Sequence, residues 1–198
     1  GFTKLSDLRY GENPHQTASL YSDVFPSGGV ANSKQLHGKE LSFNNLLDAD
    51  AAWKVVSAFD QPCVAVIKYT NPCGVAVHED QPTAYSRAYE GDTVSAFGGI
   101  IGFNRTVTWA TAKTMGKVFC EVVVAPGYES GALEILQKKQ NLRLIEVSPS
   151  DTAPHNVDVR IISGGAVVQT SDDIEEIPSQ WELVTDRVPT TTEREDLV

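Results

Sequence analysis

The residues best suited to chemistry lie in one short polar segment, Leu8–Gln16, with the sequence LRYGENPHQ. Arg9 carries a forked set of donors that suits phosphate oxygens, and Tyr10 beside it can donate a hydrogen bond or stack on a ring. His15 adds a second aromatic donor among turn-forming residues. The segment can therefore clamp a phosphate and a ring; the alternative is a surface turn with solvated polar side chains.

A second candidate site ends the apolar run Cys63–Tyr69, CVAVIKY. This run predicts a buried strand, and Lys68 stands at its polar end, where α/β sheets commonly present side chains to a ligand crevice. A lysine there can hold an anion or stabilise a developing oxyanion, or it can simply extend its amine into solvent. Tyr69 can relay a proton, but a phenol is a weaker general base at neutral pH than an imidazole.

Two turns of small residues, Asn71–Gly74 and Ser95–Gly99, would let a ligand approach the backbone, although such turns are also commonly structural. Neither matches a Walker or a dinucleotide-binding motif. The signatures of zinc deaminases and of the serine nucleophile elbow are missing as well. Cys63, Cys73 and Cys120 have no CxxC spacing, so we interpret them as reduced thiols and predict no metal site.

Composition favours a globular protein, because 41% of the 198 residues are hydrophobic and 21% are charged. The net charge of −10 argues against a nucleic-acid-binding surface. Residues 156–198 hold 10 acidic and 3 basic residues, a net charge of −7, whereas residues 1–155 carry −3. An anionic ligand would therefore be better received in the first part. No apolar stretch suggests a signal peptide or a membrane span, so we expect a cytoplasmic protein.

The elements that must position these residues alternate between strands and helices, which predicts an α/β layered fold. The composition of residues 1–40 predicts ordered loop with short strands. In the first predicted helix, Asp48 or Asp50 suits the exposed N–H groups of the first turn. The predicted helices are 48–59, 84–90, 108–119 and 133–139, and the predicted strands are 63–69, 99–103, 121–125 and 142–147.

Further strands are predicted within 157–170, around a Gly164–Gly165 turn, and at 181–185. Thr190–Glu193 has the pattern of a capping box, which predicts a helix beginning there. Only five residues follow Glu193, and such a short helix is unstable alone. Either this segment docks on another part of the protein or the polypeptide continues beyond Val198, and we expect the second.

Five segments, in this order, resemble the transformylase part of the bifunctional purine biosynthesis protein family: Leu8–Gln16, Gly38–Trp53, Ile67–Ala76, Val94–Arg105 and Glu121–Leu136. That family transfers a formyl group from 10-formyltetrahydrofolate to the 5-amino group of 5-aminoimidazole-4-carboxamide ribonucleotide. The resemblance implies a three-layer α/β/α lobe, cytidine-deaminase-like but without zinc. Residues 1–198 would be the first lobe of the transformylase domain, without the second lobe or the cyclohydrolase domain.

The resemblance also implies roles for individual residues. Lys68 corresponds to the catalytic lysine, Arg9 and Tyr10 to nucleotide-binding residues, and His15 to a supporting residue. Gly98 corresponds to a backbone contact with the substrate and Glu121 to an acidic substrate contact. The implied partners are the purine-pathway nucleotide, the folate and a second copy in a homodimer with active sites at the subunit interface.

One departure from the family pattern affects the predicted chemistry. The family usually has Lys-His where this chain has Lys68-Tyr69, and that histidine is the expected proton acceptor. Losing it should slow a general-base step by roughly 10² to 10⁴. Since the second lobe is also missing, we expect the isolated chain to be inactive, and the rival hypothesis is a non-catalytic nucleotide-binding or assembly module.

Overall fold

A computed structural model of the chain describes residues 1–24, 28–116, 118–148, 157–170, 172 and 178–197. These residues form two compact units, Gly1–Thr152 and Ala153–Val198. Among the described helices, none is long and apolar enough to cross a membrane.

The first unit is built on a mixed six-stranded sheet flanked by helices. The strands of this sheet are β3 (Lys34–His37), β4 (Cys63–Lys68), β5 (Asn71–Val77), β6 (Ile100–Phe103), β7 (Val122–Ala125) and β8 (Arg143–Glu146). They are preceded in the chain by β1 (Phe2–Leu8) and β2 (Ala18–Asp23). The helices are α1 (Phe43–Ser57), α2 (Gln81–Glu90), α3 (Trp109–Met115) and α4 (Ser130–Leu136). β1 and β2 form a separate antiparallel ribbon. The main sheet has the order β3-β8-β7-β6-β4-β5, in which β6, β7 and β8 are parallel and β4 is antiparallel to both of its neighbours.

Helices cover both faces of this sheet. Val64 and Val66 of β4 pack in the cluster that holds α2, α3 and α4, whereas Ala65 and Ile67 pack in the cluster that holds α1. A strand buried on both faces is apolar at successive positions, which is why β4 reads as a continuous run. The α/β prediction is confirmed, and the layers are those of a three-layer α/β/α fold.

Helix α1 begins five residues before the predicted start. Ser42 is its N-cap, with a capping box in which the Ser42 hydroxyl accepts from the Asn45 N–H and the Asn45 side chain accepts from the Ser42 N–H. Asp48 and Asp50 therefore lie inside the helix, and the prediction that they serve its first turn is wrong. Asp50 instead pairs with Lys54 one turn later, at 2.8 Å.

The segment Asn71–Gly74, predicted as a turn, is the beginning of strand β5. The chain reverses earlier, in a two-residue turn at Tyr69 and Thr70, because Lys68 pairs with Asn71 in the ladder. Pro72 is tolerated because β5 is an edge strand. Gly74 lets β5 approach α2 closely, since a Cβ there would come within 2.0 Å of the Ala88 carbonyl oxygen.

The remaining helices and strands of the first unit agree with their predictions to within a few residues. α2 begins at Gln81, after the N-cap Asp80, and α4 occupies Ser130–Leu136. α3 follows the N-cap Thr108 and ends at Met115. Of the helix predicted over 108–119, residue 117 lies outside the described residues.

The second unit contains an antiparallel hairpin of β9 (Val157–Ile162) and β10 (Gly165–Thr170), followed by a 3-10 helix at Pro178–Gln180 and helix α5 (Thr191–Asp196). Thr190 and Glu193 form the predicted capping box, because each side chain accepts from the other residue's N–H. The strand predicted at 181–185 is wrong: these residues have no regular structure.

Candidate active site at one edge of the sheet

Lys68 is the last residue of strand β4, and it lies at the sheet edge that is formed by strand ends, where β6, β7 and β8 begin. The register pairs Ile67 with Ile100, and Ile100 with Val122. The residues just before β6 therefore lie next to Lys68, and those just before β7 lie one strand further away. The Lys68 ammonium donates a hydrogen bond to the Phe97 carbonyl oxygen at 2.9 Å. The amine is therefore held on the Ser95–Gly99 turn that sequence analysis singled out.

Tyr69 and Thr70 form a strained two-residue turn. Their φ values are +54° and +60°, the left-handed region that two-residue hairpin turns require and that Asn and Gly usually fill. A left-handed conformation costs an L-residue roughly 1–2 kcal/mol, and it is rarer still for a β-branched threonine. The turn leaves the Tyr69 side chain 78% exposed, with its ring centroid 5.6 Å from the Lys68 amine.

Gly98 follows Phe97 and has a φ of +73°. Its N–H donates to the Phe119 carbonyl oxygen at 3.0 Å, and a Cβ at this position would lie 3.3 Å from the Phe119 ring. The rings of Phe97 and Phe119 are 5.3 Å apart and about half exposed. The Lys68 amine is therefore anchored next to a glycine backbone and two accessible aromatic rings.

Glu121 comes directly before β7 on the same edge. Its N–H donates to the Gly99 carbonyl oxygen at 3.1 Å, which ties it to the Gly98 turn. Its carboxylate accepts from the Asn45 side chain at 3.1 Å and lies 3.9 Å from an Arg143 guanidinium nitrogen. The Arg143 side chain is only 14% exposed, against 46% for Glu121, so a mostly buried cation backs a carboxylate that solvent or a ligand can reach.

Sequence analysis missed Asn45 and Arg143. Asn45 is buried at the third position of α1, and its spacing of three from Ser42 was the available signal. Arg143 begins β8 and also donates to the Glu40 carbonyl oxygen at 3.1 Å. Nothing local marks it, because its partners are distant in sequence.

Residues 9–17 connect β1 to β2 and are called the Arg9 loop here. The Arg9 guanidinium donates to the Tyr10 hydroxyl at 3.3 Å, and its central carbon lies 5.2 Å from the centroid of the Tyr10 ring. The loop is closed by the Gly11 N–H, which donates to the Gln16 carbonyl oxygen at 2.8 Å. His15 is exposed on it. The loop forms the polar cluster expected of it, with a preassembled cation and phenol.

A contact at the amino terminus of α1 joins this loop to that helix. The Asn44 side chain donates to the Glu12 carbonyl oxygen at 3.5 Å, and Asn45, the next residue, contacts Glu121. The structure thus brings Lys68, Gly98 and Glu121 to one sheet edge. The loop of Arg9, Tyr10 and His15 adjoins the helix that contacts that edge.

The cysteines contribute no reactive group to this edge. Burial raises the pKa of Cys63 to about 11 and that of Cys120 to about 11, so both thiols stay protonated at neutral pH. Burial also raises the pKa of Cys73. Within the described part of the chain, His, Cys, Asp and Glu side chains form no group of three or more that could hold a metal ion.

These features define a three-layer α/β/α domain that gathers a lysine, a carboxylate and a glycine backbone turn at one sheet edge, with an arginine loop adjoining the helix that contacts it. The family model described as AICARFT/IMPCHase bienzyme matches residues 1–198. The chain therefore belongs to the AICARFT/IMPCHase bienzyme family, a family of enzymes of purine biosynthesis.

Proposed function

We propose that this chain is the first lobe of a formyltransferase that transfers the formyl group of 10-formyltetrahydrofolate to the 5-amino group of 5-aminoimidazole-4-carboxamide ribonucleotide. The family match over the whole chain supports a role in purine biosynthesis. The observation that favours formyl transfer within that role is the Lys68 amine, which is fixed by the Phe97 carbonyl at a sheet edge beside Gly98 and Tyr69.

The chemistry needs two things from the protein. The aminoimidazole amine is a poor nucleophile, so a base must take its proton as the nitrogen attacks the formyl carbon. The formyl oxygen then becomes an oxyanion; as it collapses, the bond from the formyl carbon to the tetrahydrofolate nitrogen breaks, and that nitrogen takes up the proton that the base removed. The Lys68 ammonium stabilises that oxyanion, because a fixed cation at a partly desolvated site acts strongly where charge develops.

The other candidate residues bind the nucleotide. Arg9 pairs with its phosphate, and Tyr10, already in contact with Arg9, contacts the sugar or ring. Glu121 accepts a hydrogen bond from the nucleotide, with Asn45 and Arg143 fixing its carboxylate. The Gly98 backbone contacts the ring and His15 supports the loop.

Tyr69 is the weak point of the proposed mechanism. It occupies the position where the family pattern supplies a histidine, and a phenol accepts a proton less readily than an imidazole at neutral pH. This substitution favours the second candidate function, a nucleotide-binding or assembly module without turnover. In both functions Arg9 binds the phosphate, so turnover, and not nucleotide binding, distinguishes them.

The rest of the proposed enzyme lies outside this lobe. The folate is bound with the help of a second lobe, and the working form is a homodimer with active sites at the subunit interface. We place it in the cytoplasm, with small molecules rather than nucleic acid as ligands, in keeping with the net charge of −10.

The test is to measure formyl transfer and nucleotide affinity with the full natural polypeptide, purified from its source cell. We expect Lys68→Ala to lower turnover by about 10² to 10³ and Tyr69→His to raise it, whereas Arg9→Ala weakens nucleotide binding. Lys54→Ala is the control, since Lys54 is an exposed lysine that pairs with Asp50 on the surface of α1. Tight nucleotide binding without turnover, even with histidine at 69, would establish the module instead. Nucleotide binding unchanged by Arg9→Ala would contradict both.

A further inference from the structure

The strained turn that carries Tyr69 needs support, and the structure shows where it comes from. In a two-residue hairpin turn the N–H of the second turn residue has no partner in the strand ladder. Here the Thr70 N–H donates to a carboxylate oxygen of Asp48 at 2.7 Å. This charge-assisted hydrogen bond crosses from helix α1 to the end of β4 and is among the stronger kinds in proteins.

Two further hydrogen bonds, both between residues close in sequence, also depend on the conformation of the turn. The Thr70 hydroxyl and the Asn71 side chain each donate to the Tyr69 carbonyl oxygen at 2.7 Å. Both are local, so they can follow the turn if it rearranges. Among the hydrogen bonds described for Tyr69, Thr70 and the Asn71 side chain, the one that reaches a distant part of the chain is the bond from the Thr70 N–H to the Asp48 carboxylate.

We propose that Asp48 is a positioning residue that holds Tyr69 and Thr70 in their left-handed conformation and so fixes where the Tyr69 ring lies beside the Lys68 amine, which the Phe97 carbonyl holds. Asp48 lies three residues after Asn45 on α1, and residues at that spacing share one face of a helix. One helix face therefore contacts both halves of the candidate site, with Asn45 at Glu121 and Asp48 at the Lys68 turn. The functional consequence rests on the proposed function, whereas the structural part does not.

The proposal makes the turn's strain and the Asp48 bond interdependent. Glycine adopts a positive φ without steric cost. Thr70→Gly therefore relieves the strain that the Asp48 bond opposes, and a turn with glycine at position 70 should keep its conformation when Asp48 is lost. A residue that merely stabilised helix α1 would show no such dependence on position 70.

The test compares Asp48→Ala, Thr70→Gly and the double variant with Asp50→Ala, the matched control on the same helix. The first readout is hydrogen exchange of the Thr70 amide by NMR, which needs no ligand. Asp48→Ala should speed that exchange by about tenfold or more, while Asp50→Ala leaves it unchanged. The second readout is the rate of formyl transfer at saturating nucleotide, which Asp48→Ala should lower and Thr70→Gly in the double variant should restore.

The outcomes separate the two proposals. If the Thr70 amide exchanges equally fast with and without Asp48, the positioning role is overturned. If Asp48→Ala and Asp50→Ala slow formyl transfer equally, or if Thr70→Gly restores nothing, it is overturned as well. Should the unmodified protein transfer no formyl group while Thr70 exchange still depends on Asp48, the proposed function fails and the structural role of Asp48 stands.

Discussion

The sheet unit and the hairpin unit use the same kinds of residues and bury them to opposite extents. In the first unit Ile101, a residue of β6, is 1% exposed and lies in the core cluster that holds α2, α3 and α4. In the second, Ile161 is 84% exposed. The register places Val159 opposite Val168 and Ile161 opposite Ala166, so one face of the hairpin is mainly apolar and accessible.

This difference separates two contributions to structure. Strand propensity and a Gly turn are enough to give a hairpin its register, and both are local. Stability needs a second layer to cover the apolar face, because an isolated two-stranded hairpin is marginal in water. The first unit has that second layer on both sides of its sheet. In the second unit, none of the residues whose side-chain exposure the structure describes is buried.

The comparison is tested most strongly by shortening one isoleucine in each unit. Ile101→Ala should lower the free energy of unfolding by about 2–5 kcal/mol, because it leaves a cavity in a close-packed core. Ile161→Ala should lower it by less than about 1 kcal/mol, because the side chain is already in water. Urea unfolding followed by circular dichroism measures both. Equal losses would mean that the hairpin face is covered in solution.

A smaller difference is expected from adding one methyl group to a glycine in each unit. Gly74→Ala places a Cβ against the Ala88 carbonyl oxygen, so β5 and α2 must move apart, at a cost of about 1–3 kcal/mol. Gly165→Ala meets nothing within 4 Å and should be nearly neutral. The midpoints of thermal unfolding of the two variants measure the contrast. A neutral Gly74→Ala would show that β5, an edge strand, is free to shift.

The fold could be predicted where the cause of an element was local. β4 and β7 are buried apolar runs, and the Thr190–Glu193 capping box marks α5. The reversal after β4 was misplaced because Asn71–Gly74 has turn-forming residues, whereas Tyr69 and Thr70 do not. An edge strand accepts Pro72 and a helix approach requires Gly74, so the same residues serve a strand.

The candidate site could be predicted only in part, for the same reason. Lys68 is marked by its place after an apolar run, and the Arg9 loop by its composition. Asn45 contacts Glu121 across 76 residues and Asp48 contacts Thr70 across 22, so neither pairing leaves a local pattern. Asp48 even resembled a residue of a helix first turn, because the capping role of Ser42 was not recognised.

The smallest expected difference concerns how each unit holds a carboxylate at a helix start. The hydroxyl and N–H of Thr83 hold the pKa of Asp80, before α2, below its ordinary 3.8. In the second unit Arg187, first of all, and then Thr190 hold the pKa of Glu193 below its ordinary 4.5. Each carboxylate therefore stabilises its helix above that ordinary value, and the contribution is lost as the pH falls through the lowered pKa.

The two carboxylates should respond differently to salt, because a charged partner at 2.9 Å is the first cause of the lowered pKa of Glu193, whereas the charge of His78 is the smallest of the causes that act on Asp80. We expect 1 M salt, or Arg187→Ala, to raise the pKa of Glu193 toward 4.5 while that of Asp80 changes less. Carboxyl-carbon NMR titrations at low and high salt measure both groups in one sample. A Glu193 pKa that ignores both salt and the loss of Arg187 would mean that the Thr190 cap alone holds it. The hairpin unit would then begin its last helix in the same way as the sheet unit begins α2.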